Sequence, residues 1–178
     1  MKKVISVLLC MLIPVFTYSC SEKTQSKDTP KESEIDYNTL DSSWECDYLK
    51  IATNSNWNER DSIDGDTTSV IWDSNGASPI ILILSYSPLF KKMTQSELIN
   101  QYKNIKNSDN DILQRNYIIE DTFVKNGQAY IVLSSEPENG FKDVEFQAEH
   151  ISGKISFLES REDVIMEMIE SIVFYDIN

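Results

Sequence analysis

Cys46 and His150 are the thiol and imidazole from which a nucleophile-and-base pair would be built, since the chain has one histidine and its other cysteines, Cys10 and Cys20, lie at the N-terminus. Such a pair would form a thiolate for acyl transfer. With a carboxylate, the same two residues would supply three zinc ligands. Nothing in the spacing brings them together, so Cys46 reads as a small core residue and His150 as part of a hairpin. Asp61-Ser62-Ile63-Asp64-Gly65-Asp66 offers clustered oxygens of the kind hard cations prefer. An EF-hand needs its acids or amides at alternate positions before the glycine, so this stretch reads as a solvated turn between the first two strands. No Gly-x-Ser-x-Gly, P-loop or Gly-x-Gly-x-x-Gly motif occurs, and five glycines leave little from which to build a phosphate cradle. Many acids do not make a glycosidase pair, because that chemistry requires two carboxyl groups at a fixed separation. Trp44, Trp57 and Trp72 lie near the acidic loop, and tryptophans supply much of the binding energy at interfaces. Packing is the commoner fate of each, but Trp57, Trp72, Asp64 and Asp66 form the candidate binding surface. No catalytic residue, metal ligand or cofactor is expected.

The 178 residues include 16 Lys plus Arg against 29 Asp plus Glu, a formal charge of −13. A nucleic-acid partner is not expected, because duplex affinity comes mainly from cationic side chains that neutralise phosphates. At 40% hydrophobic and 10% aromatic, the chain carries enough apolar side chains to fold.

Residues Met1–Cys20 stand apart. Lys2 and Lys3 precede an apolar run from Val4 to Phe16, which is the layout of a secretory signal and too short to span a bilayer. The run ends in Thr17-Tyr18-Ser19-Cys20 and is followed at once by polar residues. This resembles the lipobox of bacterial lipoproteins, in which the cysteine is acylated and becomes the mature N-terminus. Thr17 stands where leucine is usual and Tyr18 is bulky. An ordinary cleaved signal, leaving Cys20 to pair with Cys46, is the competing reading. A cysteine placed directly between the apolar run and a polar tail favours lipidation. Removing residues 1–19 leaves 14 basic residues against 29 acidic, or −15. Residues 20–43 are then the lipidated cysteine and a polar linker too poor in apolar residues to fold, and residues 44–178 a single domain.

Within the domain, Tyr48–Ala52, Thr68–Trp72 and the unbroken apolar run Pro79–Tyr86 read as strands, the last covered on both faces. Tyr117–Val124 and Ala129–Leu133 read as a hairpin closed by Asn126-Gly127, since Asn-Gly adopts the positive φ of a primed turn. A second hairpin joins Val144–Ile151 to Lys154–Leu158 through Ser152-Gly153. Thr94-Gln95-Ser96-Glu97 is a capping box opening a helix whose apolar face is Leu98, Ile99, Tyr102 and Ile105. The last helix starts near Ser160–Asp163 and carries a stripe of Val164, Ile165, Met168, Ile169 and Ile172. The expected architecture is α+β: a mostly antiparallel sheet of about six strands, a helix after the third strand and a C-terminal helix.

The early Tyr48-Leu49-Lys50-Ile51 strand followed by Trp57, the helix after the strand ending near Tyr86, the Asn126-Gly127-Gln128-Ala129-Tyr130 turn and the terminal Ile169-Glu170-Ser171-Ile172-Val173-Phe174 together resemble the PsbP-like fold, shared by LpqN-type lipoproteins. The proline often found before the early tryptophan is replaced by Asn54-Ser55-Asn56. The resemblance implies a binding or assembly subunit without enzymatic activity and transfers no site residue.

The expected protein is therefore a lipid-anchored cell-envelope protein, not an enzyme, held through Cys20 at the outer membrane. Its domain would bind a protein or envelope component. The alternative is a carrier of a small apolar ligand, with a cavity lined by residues such as Met93, Leu98, Met166 or Met168.

Overall fold

The computed structural model describes residues 36–73, 79–106, 117–135 and 140–176. The expected signal peptide, Cys20 and the tether up to residue 35 lie outside them. Ten strands form: β1 (Ser42–Glu45), β2 (Leu49–Thr53), β3 (Asn58–Asp64), β4 (Thr67–Asp73), β5 (Ile80–Tyr86), β6 (Tyr117–Lys125), β7 (Gln128–Ser135), β8 (Phe141–Gln147), β9 (Ile151–Leu158) and β10 (Val173–Phe174). Helix α1 (Gln95–Lys106) follows β5, and a 3₁₀ turn (Glu159–Arg161) leads into α2 (Glu162–Glu170). Seven strands make one antiparallel sheet in the order β3-β4-β5-β9-β8-β7-β6, and β1-β2-β10 make a small second sheet. The α+β class holds. The strand number does not: among the described residues ten strands in two sheets replace about six in one, and α1 follows β5.

Strand alternation places the main core. On β4, β5, β9 and β8 every second residue is buried: Val70 and Trp72, Ile80, Leu82 and Leu84, Ile151, Ile155 and Phe157, Val144 and Phe146. This face is covered by α2, whose Val164, Ile165, Met168 and Ile169 are buried, and by Leu49 and Ile51 of the small sheet. Fully burying side chains of this size contributes about 1.5–3 kcal/mol each. Ser171 ties the two parts together, accepting a hydrogen bond from the Ala52 amide (2.8 Å) and donating one to the Met168 carbonyl (2.6 Å). The opposite face of β5 is half-buried at Ile81 and Ile83, so the strand is less enclosed than its unbroken apolar run suggests.

Helix α1 lies on that opposite face over β6 and β7, with Leu98, Tyr102, Ala129, Ile131 and Leu133 forming a second core. A β-bulge makes this packing workable. Between Ile119 and Asp121 the register with β7 shifts, and Glu120 is the extra residue. Tyr117 and Ile119 before the bulge pack against the α1 cluster, while after it the even positions take over that face: Thr122 meets Gln95 of α1 at 3.4 Å. An unbulged strand would turn its second half the other way, because inserting one residue reverses every following side chain.

Two turns differ in their fidelity to the sequence. Asn126 (φ 48°) and Gly127 (φ 73°) close β6–β7 as the Asn-Gly pair predicts. The β8–β9 turn, in contrast, runs through Ala148, Glu149 and His150 (φ 65°), not Ser152-Gly153, which lies inside β9. A Cβ at Gly153 would lie 2.1 Å from Cζ of Phe146, its cross-strand partner, so the glycine serves a close approach and not a bend.

The boundary expected at residue 44 falls inside the fold. Asn54 is 3% exposed, and its Nδ2 donates to the carbonyls of Asp36 (2.9 Å) and Thr39 (2.6 Å). Asp41 accepts from the amide and hydroxyl of Ser55 at 2.7 and 2.8 Å. Tyr37 and Leu40 pack against the main core.

Candidate functional site

Trp57 and Trp72 do not form a surface. They are 7% and 2% exposed and pack in the core with Trp44, at ring separations of 6.1 Å (Trp44–Trp72) and 6.4 Å (Trp57–Trp72). Their indole N–H groups are satisfied internally: Trp57 donates to the Tyr37 carbonyl (3.0 Å) and Trp72 to Glu59 (3.1 Å). Buried tryptophan usually requires such a partner. The Arg161 guanidinium stacks 5.5 Å over Trp57, and Arg161 Nη2 also donates to the Tyr37 carbonyl at 3.5 Å. Burial pulls the Arg161 pKa down. Asp64 and Asp66 are exposed at the tip of the β3–β4 hairpin, turned by Gly65 at φ 58°. The candidate surface thus separates into two core indoles and two solvated acids. Asp61–Asp64 are strand, and only Gly65-Asp66 form the turn. Among the described residues no group of three His, Cys, Asp or Glu side chains converges as a metal site. Among the described residues Cys46 has no disulfide partner and lies against the main core, and the His150 ring centroid lies 6.4 Å from that of Tyr86.

Two charged clusters hold elements together. Lys142 on β8 is 11% exposed and pairs with Glu120 (2.9 Å), Glu159 (3.2 Å) and Glu162 (2.9 Å). The bulge turns Glu120 towards this lysine, and the hydrogen bond from Lys142 holds the Glu120 carboxyl below its usual range. Asp143 accepts from Ser156 (2.5 Å) and lies 3.7 Å from Lys154. Beside it on the α1 face of the sheet, burial pushes the Glu145 carboxyl up to about 7 against the pull of Lys154.

A cleft of about 320 Å³ opens where the chain enters α1. It is lined by Lys92, Met93, Thr94 and Gln95 on one side and Val124, Gly127 and Ala129 of the β6–β7 hairpin on the other. Its volume is at the small end of ligand sites. Ala129 is buried at its floor, Met93 is half-buried, and Val124 is 54% exposed.

The wall carrying Met93 is fixed by the β8–β9 turn. The Met93 amide donates to the Gln147 carbonyl (3.0 Å), Gln147 Nε2 to the Lys91 carbonyl (2.8 Å), and the His150 amide to the Phe90 carbonyl (3.1 Å). Gln128, 2% exposed, donates to the same Gln147 carbonyl at 3.0 Å and so joins the hairpin to the wall. The helix start is closed by its capping box: the Glu97 carboxylate accepts from the Thr94 amide (2.7 Å), and the Thr94 hydroxyl accepts from the Glu97 amide (3.3 Å). Those bonds hold the Glu97 carboxyl below its usual range.

Lys92 sets the charge at the mouth. Its ammonium lies 3.7 Å from where a Cβ on Gly127 would be, and no ion-pair partner for it occurs among the described residues. Lys91 is paired with Glu149 (2.7 Å) and Lys125 with Glu170 (2.5 Å). Of the residues named for an apolar cavity, only Met93 reaches the cleft; Leu98 and Met168 fill the two cores. Lys92 and Val124 carried no sequence signal, because their roles come from opposing elements meeting.

No family model matches the chain, and no curated protein matches it.

Proposed function

We propose that the chain is a lipid-anchored cell-envelope protein, tethered through Cys20 at the outer membrane, whose domain binds a protein or envelope component without transforming it. The observation that carries this reading is the placement of Cys20 between an apolar run and a polar segment, sixteen residues before the described fold starts at Asp36. Sixteen residues reach at most about 55 Å when fully extended, so the domain would work within that distance of its membrane. Stable anchoring takes more than one acyl chain, which the lipoprotein modification provides. The PsbP-like assignment is part of the same proposal. It is supported by the order of β2, Trp57, the helix after β5, the Asn126-Gly127 turn and the closing Ser171–Phe174 segment.

The test is fractionation of cells expressing the wild type and Cys20→Ala, with labelled palmitate. Acyl label on the wild type alone and release of the variant into the soluble fraction are expected. A variant that stays with membranes, or a wild type without label, overturns the reading.

A second reading is favoured by the Met93 cleft: the domain carries a small apolar ligand between a helix start and the sheet. Cleft and anchor are compatible, since a tethered domain can hold a ligand drawn from its surroundings.

A further inference from the structure

The Met93 cleft combines three properties: an apolar lining, a rigid wall and an ammonium without an acidic partner among the described residues. The apolar lining is Met93, Val124 and Ala129. The rigidity comes from the hydrogen bonds to Gln147, which fix Met93 before anything binds and so limit the ordering cost of binding. The ammonium is Lys92, and its position is informative in a chain of charge −13, whose neighbouring lysines are neutralised by Glu149 and Glu170. Glu149 accepts from the Lys92 backbone amide at 3.4 Å and is bound to the Lys91 ammonium, leaving the Lys92 ammonium to the mouth. The amide of Thr94 is engaged by the capping box, so an anion at this mouth would be recognised by Lys92.

We infer that the cleft binds the end of a single hydrocarbon chain bearing a carboxylate head, with Met93, Val124 and Ala129 against the chain and Lys92 against the head. This deepens the carrier reading and rests on it. The 320 Å³ volume suits part of one chain and excludes a multi-ring ligand or paired chains. The open mouth lets the remainder extend into solvent.

The test is NMR of the full chain labelled at methionine methyl groups, with the Met93 signal assigned by Met93→Leu. Decanoate, decanol and decyltrimethylammonium are titrated below their aggregation concentrations. Decanoate should shift the Met93 methyl saturably and leave that of Met168 in place. The alcohol and the cation should bind at least tenfold more weakly. Lys92→Glu should weaken decanoate about tenfold, and Val124→Asp should abolish the shift; both residues are exposed, so the fold is retained. Equal binding of all three probes overturns the head-group inference and leaves the carrier reading standing. No Met93 shift with any probe overturns both.

Discussion

Gly153 and Phe146 face each other across the β8–β9 pairing so closely that the ring occupies the volume a side chain on Gly153 would need. Gly153→Ala should therefore force the Phe146 ring out of its place between Tyr130 (5.6 Å) and Phe174 (5.4 Å). Overpacking of this kind costs about 1–3 kcal/mol. Urea unfolding should show the loss as a lower midpoint with an unchanged slope. A midpoint equal to the wild type would mean that the ring yields freely.

Arg161 joins the α2 entrance to the N-terminal segment through Trp57 and the Tyr37 carbonyl. Arg161→Met keeps the stem and removes both the cation–π contact and the hydrogen bond, at a cost of about 1–3 kcal/mol. Trp57 fluorescence should shift, and limited proteolysis should reach the chain near Tyr37 sooner. Unchanged cleavage at that site would show that Asn54, Ser55 and Trp57 hold the segment without Arg161.

Lys142 bridges three carboxylates, from β6, the 3₁₀ turn and the start of α2. Lys142→Met leaves Glu120, Glu159 and Glu162, themselves 34%, 66% and 41% exposed, close together and should cost about 1–2 kcal/mol. The loss should shrink in 1 M NaCl, where repulsion between the acids is screened. Equal losses at low and high salt would argue for lost packing by the lysine stem instead.

Glu145 gives stability a pH dependence of opposite sign to the salt-bridged acids. Its carboxyl titrates near 7 in the fold against 4.5 as the ordinary value, so the folded chain holds this proton more tightly. Stability from it is complete below about 4.5 and is lost as pH rises through about 7, to at most about 3 kcal/mol. Glu120, Glu97 and Glu149, whose carboxyls titrate low, contribute stability above the usual carboxylate range and lose it in acid. Glu145→Gln should raise the melting temperature at pH 8 and leave it nearly unchanged at pH 4.5. A variant less stable than the wild type at pH 8 would show that the charged form is satisfied in place.

Thr94→Ala removes one half of the α1 capping box and should cost about 1 kcal/mol. Because α1 starts at the Met93 cleft, hydrogen exchange should rise in its first turn, with α2 serving as the unaffected reference.

The elements most readily read from the sequence are those whose signal is local. The capping box of α1, the Asn126-Gly127 turn and the α2 stripe each follow from residues within one turn or one hairpin of each other. The strand β3 was not legible, because an edge strand whose seven residues are all exposed has no apolar alternation. Gly153 misled because glycine marks both turns and close approaches, and only the register with Phe146 separates the two. Residues 36–43 read as linker because their main contacts are backbone carbonyls, those of Asp36, Tyr37 and Thr39, which any sequence possesses. Trp57 carries no local sign of its burial, because Asn54 beside it turns inward only in the fold, to collect the carbonyls of Asp36 and Thr39. The cleft was half legible: Met93 could be named, but Lys92 and Val124 gain meaning only from the folded pairing of the hairpin with the α1 entrance.

The clasp at Asp36–Asp41 bears on how an anchored domain would withstand pulling. Tension transmitted along the chain from Cys20 would enter the fold at this clasp, where Asn54, Ser55 and Trp57 grip three carbonyls and one carboxylate. The strain would meet several bonds loaded together before it reached the β1–β2 pairing, so the grip of Asn54 would set the force at which the N-terminal end begins to peel from the sheet.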